Sequence, residues 1–433
     1  MTMISNILIA VLAAALGIAS VLANSFFSWT RKPLAPRGDI AAFGKAAMLD
    51  MTSNQLGNGI VVLLSDGQVV FKQGHSIDEP VSPETQFQMG SLSKWISAWG
   101  AMTLVEAGKL DLDAPVSDYL TRWRLPDTSF DNQEVTVRRL LSHTAGFLDT
   151  LGYDGFAPGA PIQTLEASLT QAADTMEGNS HGRVRVEVEP GTEFHNSGGG
   201  YTLLQLLIEE VSGQSFEDYM QTAVFEPLDM TSATFELRTG EDNLADFYDV
   251  DGKSAPHYRY TALAAASLYA SANDIVKYLQ AHLEGQSGES IGRASLSATY
   301  VEDMRTPESA MRSWGTLGRW GLGGILYAPT KTSDFLVGHI GGNRPASSTS
   351  AIIDPSTGDG IVVFATGRPA YAIELASEWV YWHTGQADVF MLRREQSSTF
   401  FKSGCLPSET SREHLIGKGI RGCDPVRQKA VSS

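Results

Sequence analysis

A serine and a lysine three residues apart, Ser91 and Lys94, head an apolar run with helical spacing: Trp95, Ile96, Trp99, Met102, Leu104 and Val105. On a helix the two polar side chains share one face, a turn apart. A hydroxyl is a weak nucleophile at neutral pH and needs a base beside it. A lysine serves as that base when its surroundings keep it neutral. A helix start also offers unpaired N–H groups to a developing oxyanion. Alone, Ser-x-x-Lys most often marks a solvated helix start, so the pair gains meaning only from what accompanies it.

Three further stretches accompany it. Leu140-Leu141-Ser142-His143-Thr144-Ala145-Gly146 follows a short helical pattern. Pro190-Gly191-Thr192-Glu193-Phe194-His195-Asn196-Ser197-Gly198-Gly199-Gly200-Tyr201 runs straight into an amphipathic segment. Gly338-His339-Ile340-Gly341-Gly342 lies on a late strand pattern. A serine-lysine helix, a polar loop before a helix and a polar residue plus glycine on a strand are the three parts of a serine acyl-transfer site. A lone strand histidine is ordinarily a packed residue; its place in this set turns His339 into a site candidate.

The elements that must position these parts read as follows. A helix is expected over Ile40–Leu56. Gly59–Leu64 and Val69–Phe71 read as a hairpin joined by Ser65-Asp66-Gly67-Gln68. The Ser91 helix runs to about Ala107 and stops at Gly108. Further helices are expected at Thr136–Ser142, Tyr201–Ser212 (capped by Gly213), Ser215–Val224, Tyr260–Leu268 and Ala272–Leu283. The stretch 240–256 reads as a loop or small hairpin. Its Asp249-Val250-Asp251-Gly252 lacks the closing glutamate of a calcium loop and reads as a plain turn. Strands are expected at Trp320–Tyr327, Phe335–Ile340, Ser347–Ile353 and Gly360–Thr366, then a helix over Ala370–His383. Trp314 and Trp320, with Gly315, Gly321, Gly323 and Gly324, are expected at the strand edge by the pocket mouth or in the core. Strands at both ends with helices between predict an α/β (α+β) fold: one antiparallel sheet built from both termini and a helical region inserted between.

On these motifs and their order the chain resembles the serine β-lactamase-like superfamily over roughly residues 40–385, in the branch of class C β-lactamases, D,D-peptidases, D-aminopeptidases and related esterases. The resemblance implies a β-lactamase/transpeptidase-like domain over 38–390. Its α/β lobe would comprise about 38–90 and 300–390, its helical lobe about 91–300, with the site between them. It implies Ser91 as nucleophile, Lys94 as proton shuttle, and His339-Ile340-Gly341 as the third motif. The oxyanion hole would be the N–H groups of Ser91 and Gly342, with Gly341 lining the substrate site. His339 would orient the substrate carbonyl or carboxylate. His143 would brace the loop beside the site. It implies a small ester, a short peptide or a D-amino-acid peptide as substrate and neither metal nor organic cofactor. The His-x-Gly motif leans away from efficient β-lactam hydrolysis, because a lysine there would better meet the β-lactam carboxylate.

One position departs from the pattern. Where the superfamily carries a general-base tyrosine, this chain has Asn196, and an amide neither takes the serine proton nor returns one to a leaving group. Tyr201 matches the later tyrosine that packs at the helix start, not the base. Three readings stand: Lys94 acts alone, or with His195 or a water, in a slower enzyme; the site is catalytically dead and binds a ligand or partner; or the chain is an altered copy of an active enzyme.

Composition bounds the rest. The 433 residues suffice for a large core, with 42% hydrophobic and 19% charged residues. A net charge of −17 argues against nucleic acid and anionic membrane surfaces as partners. Met3–Ala23 carries no charge and is long enough to span a bilayer; it ends Val21-Leu22-Ala23, in the manner of a signal-peptidase site. A signal peptide or retained anchor over 1–23, a linker over 24–37 and a periplasmic or secreted location are therefore expected. Arg31 and Lys32, just after the run, pull the other way on the positive-inside rule. The two cysteines, Cys405 and Cys423, lie in the tail 391–433, where an oxidising compartment would let them pair.

Overall fold

The computed structural model describes residues 32–54, 57–149, 152–176, 181–237, 243–310, 319–329 and 334–388. The Met3–Ala23 run, Trp314, Gly315, Cys405 and Cys423 lie outside them.

The chain opens with α1 (Ile40–Asn54), then the hairpin β1 (Gly59–Ser65) and β2 (Gln68–His75), closed at Asp66-Gly67 where both residues have positive φ. A short β3 (Gln86–Gln88) leads into a 3-10 turn, Gly90–Leu92, and then α2 (Ser93–Glu106). Ser91 therefore sits in the tight turn before the α-helix, one turn earlier than its spacing predicts. After it come α3 (Val137–Leu141), α4 (Leu165–Thr170), α5 (Gly198–Ser212) and α6 (Phe216–Met220). The small hairpin β4 (Phe247–Tyr248) and β5 (Ser254–Ala255) matches the expectation for that stretch. Then follow α7 (Leu263–Ala266), β6 (Tyr269–Ser271), α8 (Ala272–Gln280) and α9 (Ala298–Met304). The last third holds β7 (Ser309–Ala310), β8 (Arg319–Trp320), β9 (Ile325–Pro329), β10 (Phe335–Gly341), β11 (Ser347–Ile353), β12 (Gly360–Thr366) and α10 (Tyr371–Thr384).

One eight-stranded sheet has the order β2-β1-β12-β11-β10-β9-β8-β7, with antiparallel pairing throughout. The first hairpin joins the last strand, Val62 facing Val362, so both ends of the described chain build one sheet. β11 and β12 are buried along their whole length, as their unbroken β-branched and small residues require when both faces are covered. One face packs on α1 and α10 through Phe43, Trp379 and Trp382. The other carries Val337, Ala351, Ile353 and Phe364 against α2 and the helices around it.

Two expectations need correction. Tyr260–Leu268 is helical only over Leu263–Ala266, because the backbone before it pairs as a bridge, Arg259 with Phe156. The strand expected over Trp320–Tyr327 is broken at Gly321–Gly324. Gly323 has φ +92, and a Cβ there would lie 2.2 Å from that of Ala98 on α2. Glycine is needed for both the turn and the contact. Among the described residues no helix is long and apolar enough to cross a membrane.

Candidate active site

The turn before α2 is held from several directions. Met89 N–H donates to Leu268 O at 2.7 Å, and Thr349 Oγ1 on β11 donates to Met89 O at 2.7 Å. Ser93 Oγ donates to Gly90 O at 2.5 Å and accepts from Leu268 N–H at 3.0 Å. Gly90 has φ +56, and a Cβ on it would stand 2.5 Å from Gly342 N, so only glycine lets these backbones meet. The N–H-bearing backbone of Gly342 is thereby pressed against the turn that presents Ser91.

Lys94 is buried, and its Nζ donates to Ser91 Oγ at 2.9 Å and to Ala265 O on α7 at 2.9 Å. Both acceptors are uncharged. The α7 carbonyls form a rack: Ser97 Oγ donates to Ala264 O at 3.0 Å and Asn343 Nδ2 to Ala266 O at 2.9 Å. Asn343, just after Gly342, thus ties the β10–β11 loop to the segment that holds Lys94.

His339 lies on β10 opposite Ala351, on the sheet face that α2 covers. Its ring is buried edge-on to Trp320, centroids 5.3 Å apart, and Nδ1 donates to Ile340 O at 2.6 Å. A neutral ring then has Nε2 as its acceptor nitrogen. A Cβ on Gly341 would stand 1.9 Å from Met89 O, so this glycine also seats β10 against the Ser91 turn.

Asn196 occupies a stretch wrapped around His143. His195 N–H donates to His143 O at 2.8 Å, and Ser197 N–H donates to His143 Nδ1 at 3.1 Å. His143 therefore carries its proton on Nε2 when neutral. Burial first, then the nearby Lys94 and His339, push its pKa well below the ordinary range. This agrees with a bracing role. Asn196 Oδ1 is buried with no hydrogen-bond partner, so it bonds neither Ser91 nor Lys94. His195 Nε2 lies 3.0 Å from Glu193 Oε2. The Tyr201 hydroxyl donates to Leu141 O at 3.1 Å, and burial pushes its pKa up. This hydroxyl is thus engaged at the end of α3, and Lys94 Nζ lies 5.9 Å from the Tyr201 ring centroid.

Sequence reasoning missed Asp149. Its carboxylate accepts from Ser197 Oγ and, at 2.6 Å, from Gly199 N–H, fixing the start of α5. Ser197 Oγ in turn accepts from Gly200 N–H at 2.7 Å as the N-cap. No local pattern flags a partner 48 residues away; only the unexplained Gly198-Gly199-Gly200 run hints at one.

A sequence profile of the beta-lactamase family matches residues 47–380, and the chain belongs to that family. It is 28% identical over 243 residues to the putative penicillin-binding protein PbpX of Bacillus subtilis, covering 53% of this chain and 56% of that protein. It is 23% identical over 248 residues to protein flp of Staphylococcus aureus, covering 54% and 47%. The chain spans about half the length of these curated relatives. Among solved structures, the octameric penicillin-binding protein homologue from Pyrococcus abyssi aligns with a TM-score of 0.66 and 27% identity, covering 82% of this chain and 81% of that one. EstCE1, a hydrolase with promiscuous acyltransferase activity, shares the fold at a TM-score of 0.61 and 22% identity, covering 77% and 94%.

Proposed function

We propose that the chain is a serine hydrolase that cleaves an ester or amide of a small molecule or short peptide through an acyl-enzyme on Ser91. The observation that carries this reading is the 2.9 Å bond between Lys94 Nζ and Ser91 Oγ, beside the Gly90–Gly342 backbone contact. In this reading Lys94 loses its proton before the chemical step, the 2.9 Å contact then runs from the Ser91 hydroxyl to Nζ, and Nζ takes the Ser91 proton as Oγ attacks the carbonyl carbon. The Ser91 and Gly342 N–H groups receive the oxyanion. Lys94 then returns the proton to the leaving group, and water repeats the sequence to release the acyl group. With Asn196 at the tyrosine position a single base serves both transfers. Loss of a general base costs on the order of 10²–10⁴ in rate, so slow turnover is expected rather than none.

The buried, unpartnered Asn196 Oδ1 supports a second reading, in which the fold binds a ligand without turnover. A fluorophosphonate label and a panel of nitrophenyl esters, nitrocefin and D-Ala or linear peptides separate the two. Labelling and ester turnover that vanish in Ser91→Ala support the hydrolase; a gain in Asn196→Tyr identifies position 196 as the base position. An unlabelled chain whose Asn196→Tyr variant labels supports the binding protein. The uncharged run Met3–Ala23 supports export or membrane anchoring, which cell fractionation tests.

A further inference from the structure

A buried polar seam that the acyl-transfer chemistry does not use lies between the loops that carry Asp154, Asp174 and Tyr260. Asp174 is 6% exposed, and no side chain donates to either carboxylate oxygen. The backbone N–H groups of Asp174 itself and Gly155 ease its charge; burial, with the neighbouring Asp154, raises its pKa to about 6. Tyr260 is 3% exposed, and its hydroxyl has no partner either. Its ring lies against Gly155, where a Cβ would stand 2.8 Å from Tyr260 Cε1. Asp154 N–H donates to Asp174 O at 2.7 Å, so Asp174, Gly155 and Tyr260 form one cluster. Asp174 and Asp154 both act electrostatically on the Tyr260 phenol.

Three links tie the seam to segments that build the site. Tyr260 lies five residues before Ala265, the acceptor of Lys94. Gln88, three residues before Ser91, donates to Tyr269 OH at 2.7 Å and leaves its buried Oε1 unpartnered. Arg344, two residues after Gly342, places Nε 3.0 Å from Asp154 Oδ1 with its side chain 55% exposed.

We propose that Asp174, with Asp154 and Tyr260, forms a subsite for a primary ammonium group, so that the substrate is an ester or amide carrying a free amine. An ammonium brings one positive charge and three donors to a wall that offers a buried carboxylate and unpartnered oxygens. Water supplies donors but no charge. A bound metal would need a ligand cluster, and the described residues contain no group of three or more His, Cys, Asp or Glu side chains able to hold one. Arg344, half exposed, would pair with Asp154 until a substrate amine enters. This inference rests on the Ser91 hydrolase reading for its chemistry but not for its binding.

The test uses the full chain with alanine methyl ester and its N-acetyl derivative in both enantiomers, and methyl 6-aminohexanoate against methyl hexanoate. Alanine amide and N-acetylalanine amide serve as ligands in thermal-shift titrations. The free amine should be preferred about tenfold or more, in kcat/KM or in affinity. That ratio should collapse in Asp174→Asn and shrink in Tyr260→Phe. Without ligand, Asp174→Asn should melt as high as the parent or higher, because it removes a buried charge that lacks side-chain partners. The alanine and aminohexanoate pairs tell an α-amine from an ω-amine. Equal handling of amine and acetamide with fluorophosphonate-labelled Ser91 overturns the ammonium site and leaves the hydrolase standing. An amine preference in the titrations without Ser91 labelling does the reverse. A lower melting temperature in Asp174→Asn, with no change in the amine ratio, makes Asp174 structural and also overturns the proposal.

Discussion

Tyr201 and Trp320 donate to one carbonyl oxygen: the Tyr201 hydroxyl and Trp320 Nε1 each lie 3.1 Å from Leu141 O. Gly323 N–H donates to the same oxygen at 3.2 Å. Helix α5, the β8 edge and the β8–β9 turn thus converge on the end of α3, two residues before His143. Tyr201→Phe should cost about 1 kcal/mol in stability, the usual net value of a hydrogen bond. It should change kcat/KM less than tenfold, because the hydroxyl is spent on Leu141 O rather than on Ser91. Denaturant melts and ester kinetics check this; a loss comparable to that of Ser91→Ala would give Tyr201 a chemical role.

Lys94→Arg and Lys94→Met should both lose on the order of 10²–10⁴ in kcat. Arginine keeps a charge but gives up no proton, and its planar fork does not fit a site shaped around two uncharged acceptors. Substantial activity in the arginine variant, measured with an activated ester, would remove Lys94 from the proton path.

Gly341→Ala sets a Cβ 1.9 Å from Met89 O, a backbone atom that cannot rotate away. It should destabilise by about 1–3 kcal/mol and separate Gly342 from Ser91. Gly342→Ala meets only Ser347 O, at 3.0 Å, and should be tolerated better in thermal melts. Equal melting temperatures for the two variants would argue against this seating of β10.

Stability should fall in mild acid. His282 is buried among Trp95, Trp99 and Tyr278 with neither ring nitrogen bonded; burial first, then Arg305, push its pKa well below 6.5. His143 is depressed in the same direction. Each binds a proton near pH 6.5 when unfolded but not when folded. Their contribution is therefore full above that pH and declines below it, by up to about 1.4 kcal/mol per pH unit for each group. Asp174, raised to about 6, works the other way below pH 6 and offsets one of the two. Urea melts from pH 8 to 5 should be level down to about 7 and then decline. His282→Leu should flatten the decline; an unchanged slope would exclude His282 as a source.

Asp149→Asn weakens the clamp on the first turn of α5, which glycines alone would not hold. It should cost on the order of 1–3 kcal/mol. It should also slow turnover through displacement of the Asn196–Ser197 segment. Melting temperature and kcat, measured together, test the coupling.

Much of the sheet was legible. β11 and β12 match their expected bounds residue for residue; β12 reads as an almost unbroken hydrophobic segment, as a strand buried on both faces does, while β11 is marked by small and β-branched residues. The pairing of Ser91 with Lys94 followed from helical spacing, although a 3-10 turn carries the serine. What failed was decided by distant contacts. The break at Gly321–Gly324 exists because Gly323 touches Ala98, and α5 starts at Gly198 because Asp149 holds its N-cap Ser197 and the Gly199 N–H. The seam around Asp174 and Tyr260 has no local signature, since its members come from separate loops.

The first hairpin reaches its neighbour β12 only at residue 360, and Gly90 meets Gly342 across some 250 positions. A chain emerging from the ribosome thus exposes Ser91 and Lys94 long before the strand that carries Gly342 exists. On the proposed chemistry, the serine would be present early but unarmed. Competence for acyl transfer would then arrive last, as a by-product of closing the sheet, and a stalled or truncated chain would carry the proposed nucleophile without its oxyanion donor.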